Sequence, residues 1–241
     1  MNKKKNLTRI LQTIWHRLPT HRLNRNWRVH SAVSYSQFGE DTILRYFFPE
    51  KNSTYIDIGS GHPIIGNNTY FLYKKGCHGI LIDGVKKNIN SATRLRPSDK
   101  SIQCLVGNSN TTGIFYEFVD SNFSTTDSVF SEKTSISRKE KPIEHNLEIR
   151  TLDTILEGKY PTGPTLLNVD VEGNDLNVLR GINWEKFLPR VVCIEEWQNS
   201  FHNYSQVEMF LAKRGYKLIS RMVYSNIYVL TNYQGKFDFN L

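Results

Sequence analysis

Five short apolar runs set the frame of the chain: Tyr55-Ile56-Asp57-Ile58, Gly79-Ile80-Leu81-Ile82-Asp83, Ile102 to Val106, Leu166 to Gly173, and Val191 to Glu196. Their length and near-continuous apolarity are those of strands buried on both faces. Between them lie segments that suit helices: Thr42–Phe48 closed by Pro49, Asn67–Lys75 capped by Gly76, Val85–Arg96 before Pro97, a short one from Asp153 to near Gly158, Asp175–Arg180, and Tyr204–Arg214 capped by Gly215. Tyr216–Met222 and Asn226–Thr231, joined by Val223-Tyr224-Ser225, read as an antiparallel hairpin. The pattern predicts an α/β fold in which five strands separated by crossovers precede a terminal hairpin, giving one antiparallel edge on an otherwise parallel sheet. Ile114–Val119 and Leu147–Leu152 are also strand-like. The Ser-, Thr- and Lys-rich stretch 120–146 has no sustained period and reads as an insertion, a place where substrate contacts gather.

Before this body comes a different texture. Leu7, Ile10, Leu11, Ile14, Trp15 and Leu18 recur at helical spacing among Arg9, Gln12, Thr13 and Arg17, which predicts a basic amphipathic helix within residues 1–30. Packing on the protein itself or on a partner subunit, or lying on an anionic membrane surface, all suit such a helix. The formal charge of +8 resides here: eight of the 31 basic residues precede the first acid, Glu40, which leaves 23 bases against 23 acids in the remainder. A balanced body and the lack of interleaved basic and aromatic residues point away from nucleic acid. Without an apolar run long enough to span a bilayer, or a secretory signal, the expectation is a cytoplasmic protein with possible peripheral contact at the membrane face. Cys77, Cys104 and Cys193, odd in number and set in apolar surroundings, read as reduced core thiols.

The chemistry gathers at the carboxyl ends of the strands, where open α/β sheets bind ligands. Gly59-Ser60-Gly61 turns the chain sharply after the first strand, and Asp83 ends the next strand 24 residues after Gly59, where a ribose hydroxyl pair would meet an acid. Other nucleotide signatures fail. Ile64 occupies the place of the third glycine of a dinucleotide fingerprint, and Asn67-Asn68 stand where a phosphate loop needs Lys and Ser or Thr. Asp170 and Glu172, two apart on a strand, share a face. They could act on a proton, share a divalent cation, or cap the following helix.

Ser36-Gln37-Phe38-Gly39-Glu40-Asp41, the run from Asp57 to Pro63, Asn68-Thr69-Tyr70 leading to Gly76, Ile82-Asp83, and Asn168 to Gly173 together resemble the FkbM-type class I S-adenosylmethionine-dependent methyltransferases, from about Tyr35 to Thr231. The resemblance implies a Rossmann-like, seven-stranded, mostly parallel sheet with a C-terminal antiparallel hairpin, in a methyltransferase domain over residues 31–241. It places Gly59, Ser60 and Gly61 under the methionine part of S-adenosyl-L-methionine, Asp83 on the ribose, Asp57 at the loop or the cofactor's amino group, Asn108 by the adenine, and Gln37 reaching in from the preceding segment. It implies O-methylation of a hydroxyl on a sugar or glycan-like acceptor. Such a hydroxyl must lose its proton, and carboxylates or histidines on the rim can take it, Asp170 first, Glu172 second and His62 third, with no metal assigned. A non-sugar small-molecule acceptor, or a non-enzymatic binding module on the same fold, are the alternatives.

Overall fold

The computed structural model describes residues 33–196 and 205–232. The predicted N-terminal amphipathic helix lies outside these residues. No helix among the described residues is long and apolar enough to cross a membrane.

The first helix, α1 (Glu40–Phe47), leads into β1 (Thr54–Ile58), α2 (Tyr70–Lys74), β2 (His78–Asp83), α3 (Lys86–Leu95) and β3 (Lys100–Gln103). After β4 (Leu105–Val106) and β5 (Thr111–Glu117) come a 3-10 turn at Ser121–Phe123, α4 (Ser128–Arg138), β6 (Ile143–Arg150) and α5 (Leu152–Ile155). The chain then forms β7 (Thr165–Val169), α6 (Asp175–Arg180), β8 (Val191–Glu195), α7 (Gln206–Ala212), β9 (Tyr216–Arg221) and β10 (Ser225–Leu230).

Seven strands form the main sheet in the order β3-β2-β1-β7-β8-β10-β9. The first five run parallel and the final hairpin antiparallel, as expected. Both faces are covered, which is why the strands read as continuous apolar runs. Tyr55, Leu81, Leu166, Val191 and Cys193 point into one layer with Leu44, Phe48 and Leu72. Ile56, Ile82, Leu167, Val192 and Ile194 point into the other with Val178, Leu179 and Leu211. The three cysteines are free and buried in the core.

Two expectations about the middle of the chain are corrected. Ile102–Val106 is not one strand: Lys100–Gln103 ends the main sheet at its edge, Cys104 breaks the run, and Leu105–Val106 joins a second sheet of order β4-β6-β5. The stretch 120–146 is not without regular structure either, since it holds the 3-10 turn, the eleven-residue α4 and the start of β6.

Candidate active site

The order of the strands leaves β1 and β7 adjacent, and their carboxyl ends meet. Gly59 lies at φ 76°, and a Cβ there would fall 1.6 Å from the carbonyl oxygen of Asp170. Only glycine fits, both for its backbone and for its neighbour. The turn is bound tightly from within: the amides of Gly59 and Ser60 both donate to the Ile82 carbonyl (2.9 and 3.2 Å), and that of Gly61 donates to Asp83 Oδ2 (2.8 Å). Asp83 also accepts from the Val85 amide on Oδ1 (2.7 Å) and from Asn88 Nδ2 on Oδ2 (3.1 Å). It therefore ties the turn to the start of α3. Burial, offset in part by these donors, raises its pKa to about 6.

Asp57 is placed differently from a ligand contact. It is fully buried and does not line the cavity. Its Oδ2 accepts from Asn67 Nδ2 (3.0 Å) and Thr69 Oγ1 (2.7 Å), and its Oδ1 from Asn168 Nδ2 (2.9 Å). Since Asn67 Nδ2 also reaches the Ser60 carbonyl (3.0 Å), Asp57 holds the turn from below.

Beside the turn, Asp170, Glu172 and Glu195 each offer a carboxylate oxygen, all within 4.8 Å of one another. Like charges this close cannot all persist without protons or a cation. Burial first, then the charges of Asp175, Asp57, Glu40 and Asp83, push Asp170 up to about 7. Burial first, then Asp170, Asp175 and Asp120, push Glu172 up to about 9. Glu172 carries a left-handed backbone (φ 54°), uncommon for a residue with a side chain, and its buried Oε2 has no hydrogen-bond partner among the described residues. Neither acid caps α6: its N-cap, Asn174, makes no side-chain cap bond, and Asp175 at the start of the helix accepts from the amides of Val171 (3.1 Å) and Gly173 (3.2 Å) in the loop that carries Glu172.

The turn and the acids open on one cavity of about 910 Å³, lined also by Gln37, His62, Leu105, Phe115, Asp120–Ser124 and Tyr224. Residues 120–126 were visible in sequence only as an unpatterned insertion, yet they span the cavity. Ser121 Oγ lies 3.4 Å from the Asn88 side chain on the turn side, and Thr125 Oγ1 donates to the Glu172 carbonyl (2.6 Å) on the acid side. Tyr224, another residue the sequence reading did not single out, packs edge-on against Phe38 with ring centroids 5.1 Å apart. His62 Nδ1 accepts from the amides of Ile64 (3.2 Å) and Ile65 (3.1 Å). In the neutral ring the proton is then on Nε2, so the free nitrogen donates and does not act as a base.

Asn108 does not reach the cavity: it is exposed and absent from the lining. Its loop follows β4 into the second sheet and packs under α6, where a Cβ on Gly181 would fall 2.0 Å from the Gly107 carbonyl. The structure therefore brings together Gln37, Gly59, Ser60, Gly61, His62, Asp83, Asp170 and Glu172, and leaves Asp57 beneath and Asn108 outside.

A model of the FkbM methyltransferase domain matches residues 57–218, about two thirds of the chain. No curated protein matches. Among solved structures the chain is similar to an FkbM methyltransferase from Methylobacillus flagellatus, at 12% identity and a TM-score of 0.45, covering 74% of this chain and 44% of that one. It is also similar to a TehB-like SAM-dependent methyltransferase from Corynebacterium glutamicum (12%, TM-score 0.39, 88% and 97% covered). A third, a SAM-dependent methyltransferase from Aquifex aeolicus, shows 11% identity and a TM-score of 0.36, with 80% and 89% covered. On the domain match, the chain belongs to the FkbM methyltransferase-domain family, whose cofactor is S-adenosyl-L-methionine.

Proposed function

We propose that the protein transfers a methyl group from S-adenosyl-L-methionine to a hydroxyl of an uncharged sugar or glycan-like acceptor, with Asp170 as general base. One observation carries the reading: among the described residues the cavity is lined by Asp83, Asp120, Asp170, Glu172 and Glu195, and by no Lys or Arg. Such a lining suits a cationic donor and polyol hydroxyls, and it repels phosphates and carboxylates.

The residues present fit the donor. All three amides of the Gly59–Gly61 turn are already bonded within the protein, so the turn offers no nest for a phosphate but gives close backbone approach to an uncharged or cationic group. Gly59, Ser60 and Gly61 would lie under the methionine part, Asp83 would accept from the ribose with the lone pair its three donors leave, and Leu105 and Phe115 offer an apolar wall to a purine. When bound, the sulfonium supplies an electrophilic methyl group with a neutral leaving thioether. The protein's part is then to align the acceptor, exclude water and take the hydroxyl proton. Near neutrality Asp170 is poised to ionise while Glu172 holds its proton, so Asp170 takes the acceptor's proton and Glu172 donates a hydrogen bond.

The test is calorimetry with S-adenosylmethionine, followed by mass spectrometry of a panel of neutral glycans for the gain of one methyl group. Asp170→Asn is expected to bind the donor as the parent does and to lose about 10²- to 10⁴-fold in turnover. Donor binding with transfer only to acidic acceptors, or unimpaired transfer by Asp170→Asn, would refute it.

A further inference from the structure

The turn that receives the cofactor is fastened at a distance by a guanidinium. Arg96, at the C-terminal end of α3, is fully buried. Its Nε donates to Asp99 Oδ2 (2.7 Å), and both side chains of this ion pair are inaccessible. The guanidinium carbon lies 5.0 Å from the ring centre of Tyr55, 5.2 Å from that of Tyr73 and 6.0 Å from that of Tyr70. Asp99 in turn accepts from the Tyr55 hydroxyl and from the Gly79 amide. A buried charge held on so many sides keeps a single orientation.

The remaining guanidinium donors point at the segment that follows the turn. Nη1 donates to the Pro63 carbonyl (3.3 Å), to Asn67 Oδ1 (3.1 Å) and to Thr69 Oγ1 (3.2 Å), and Nη2 also donates to Thr69 Oγ1 (3.2 Å). Arg can only donate, so the oxygen of the Asn67 amide must face it, and the Nδ2 group must face the other way. On that other side are Asp57 Oδ2 and the carbonyl of Ser60, each 3.0 Å away. Arg96, together with the Thr69 amide that donates to the same oxygen (3.0 Å), thereby holds Asn67 in the one setting in which its amide can hold the middle residue of the turn. An amide flipped by half a turn would set its oxygen against the carboxylate of Asp57 and the carbonyl of Ser60.

We infer that Arg96, acting through Asn67, is a positioning residue for the S-adenosylmethionine turn, setting the Ser60 carbonyl and hence the donor's binding site. It rests on the reading of that turn as the donor site. The other end of the same helix grips the turn through Asp83 and Asn88, so α3 clamps Gly59–Gly61 from both of its ends.

The experiment compares the full chain with Arg96→Lys, Asn67→Ala and the double variant, reading donor dissociation constants by calorimetry, KM for donor and acceptor, and Tm. Arg96→Lys keeps the charge and loses the fork. Each single variant is expected to weaken donor binding about tenfold, raising KM for the donor but not for the acceptor, and the double variant to be no worse than the weaker single, because both act on one carbonyl. Parental donor affinity in Arg96→Lys with a lowered Tm would make Arg96 a structural residue only and overturn the inference. Should Arg96→Lys fail to fold, Asn67→Ala decides alone: a tenfold loss supports the relay, parental affinity overturns it. A parent chain that binds no donor would instead refute the reading of the turn itself, and the inference with it.

Discussion

Replacing Glu172 with Gln should make the protein more stable, by an amount that depends on pH. In the folded chain Glu172 titrates at about 9, against 4.5 for the ordinary side chain. Because the folded-state value is the higher one, the unfolded chain alone releases this proton as pH rises past 4.5. The stability tied to it is fully present below that pH and is lost progressively up to about pH 9. At about pH 7.5 the interval is three units, and at about 1.4 kcal/mol per unit the upper bound is about 4 kcal/mol. Glu172 is partly exposed, so water screens some of this, and about 1–2 kcal/mol is the expected gain. Gln has the same shape and never ionises. Urea denaturation of both proteins at several values between about pH 5 and about pH 8, with unchanged m-values, should give curves that nearly meet at the acid end and diverge upward. Parallel curves would mean that Glu172 is not held protonated. A variant less stable at every pH would mean that the carboxylate is ionised and paired, and the assignment of proton donor and base in the cavity would fall with it.

Other outcomes follow from the same geometry. Turnover per donor-bound enzyme should rise with pH and level off above an apparent value near 7, since Asp170 must be ionised to take a proton; a rate independent of pH from about 5.5 to about 8.5 would remove Asp170 from that role. Gly59→Ala should cost several kcal/mol in chemical denaturation and abolish donor binding in calorimetry, because its methyl group would occupy the Asp170 carbonyl; a variant with near-parental Tm would show that β1 and β7 can part without loss. Treatment with EDTA should leave methyl transfer unchanged if protons relieve the crowding of Asp170, Glu172 and Glu195, whereas loss restored by magnesium would put a divalent cation among them.

What could be read in advance followed from burial on both sides. The central strands β1, β2, β7 and β8 announced themselves because each is covered twice, and Gly59 and Asp83 did so because they stand at the ends of two of them. The split at Cys104 was not legible: Ile102 pairs within the main sheet and Leu105 and Val106 within the second, and an apolar run carries no mark of a change of partner. Asn108 was misplaced for the same reason, since its loop follows the second sheet. Helix α4 was hidden because its fully buried residues are Ser131 and Thr134 while Val129 and Ile136 are exposed, which inverts the usual apolar stripe. The role of Asp57 depends on Asn67, Thr69 and Asn168 meeting in space, and spacing along the chain does not reveal that.

The junction at Cys104 also bears on how such a protein can change its acceptor. The chain leaves the main sheet after Gln103, builds the second sheet and the cavity-spanning turn, and is back at β7 by Thr165. Everything between is a contiguous cassette whose ends are fixed by β3 and β7, two strands of the main sheet. Drift within its cavity-spanning turn can reshape the cavity while Gly59, Asp83 and Asp170 keep their geometry and Leu105 and Phe115 keep their wall. The same continuity gives an engineer a place to cut: segments exchanged at these two borders would carry the cavity-spanning turn, together with the Leu105 and Phe115 wall, from one protein to another on an unaltered Gly59–Gly61 turn.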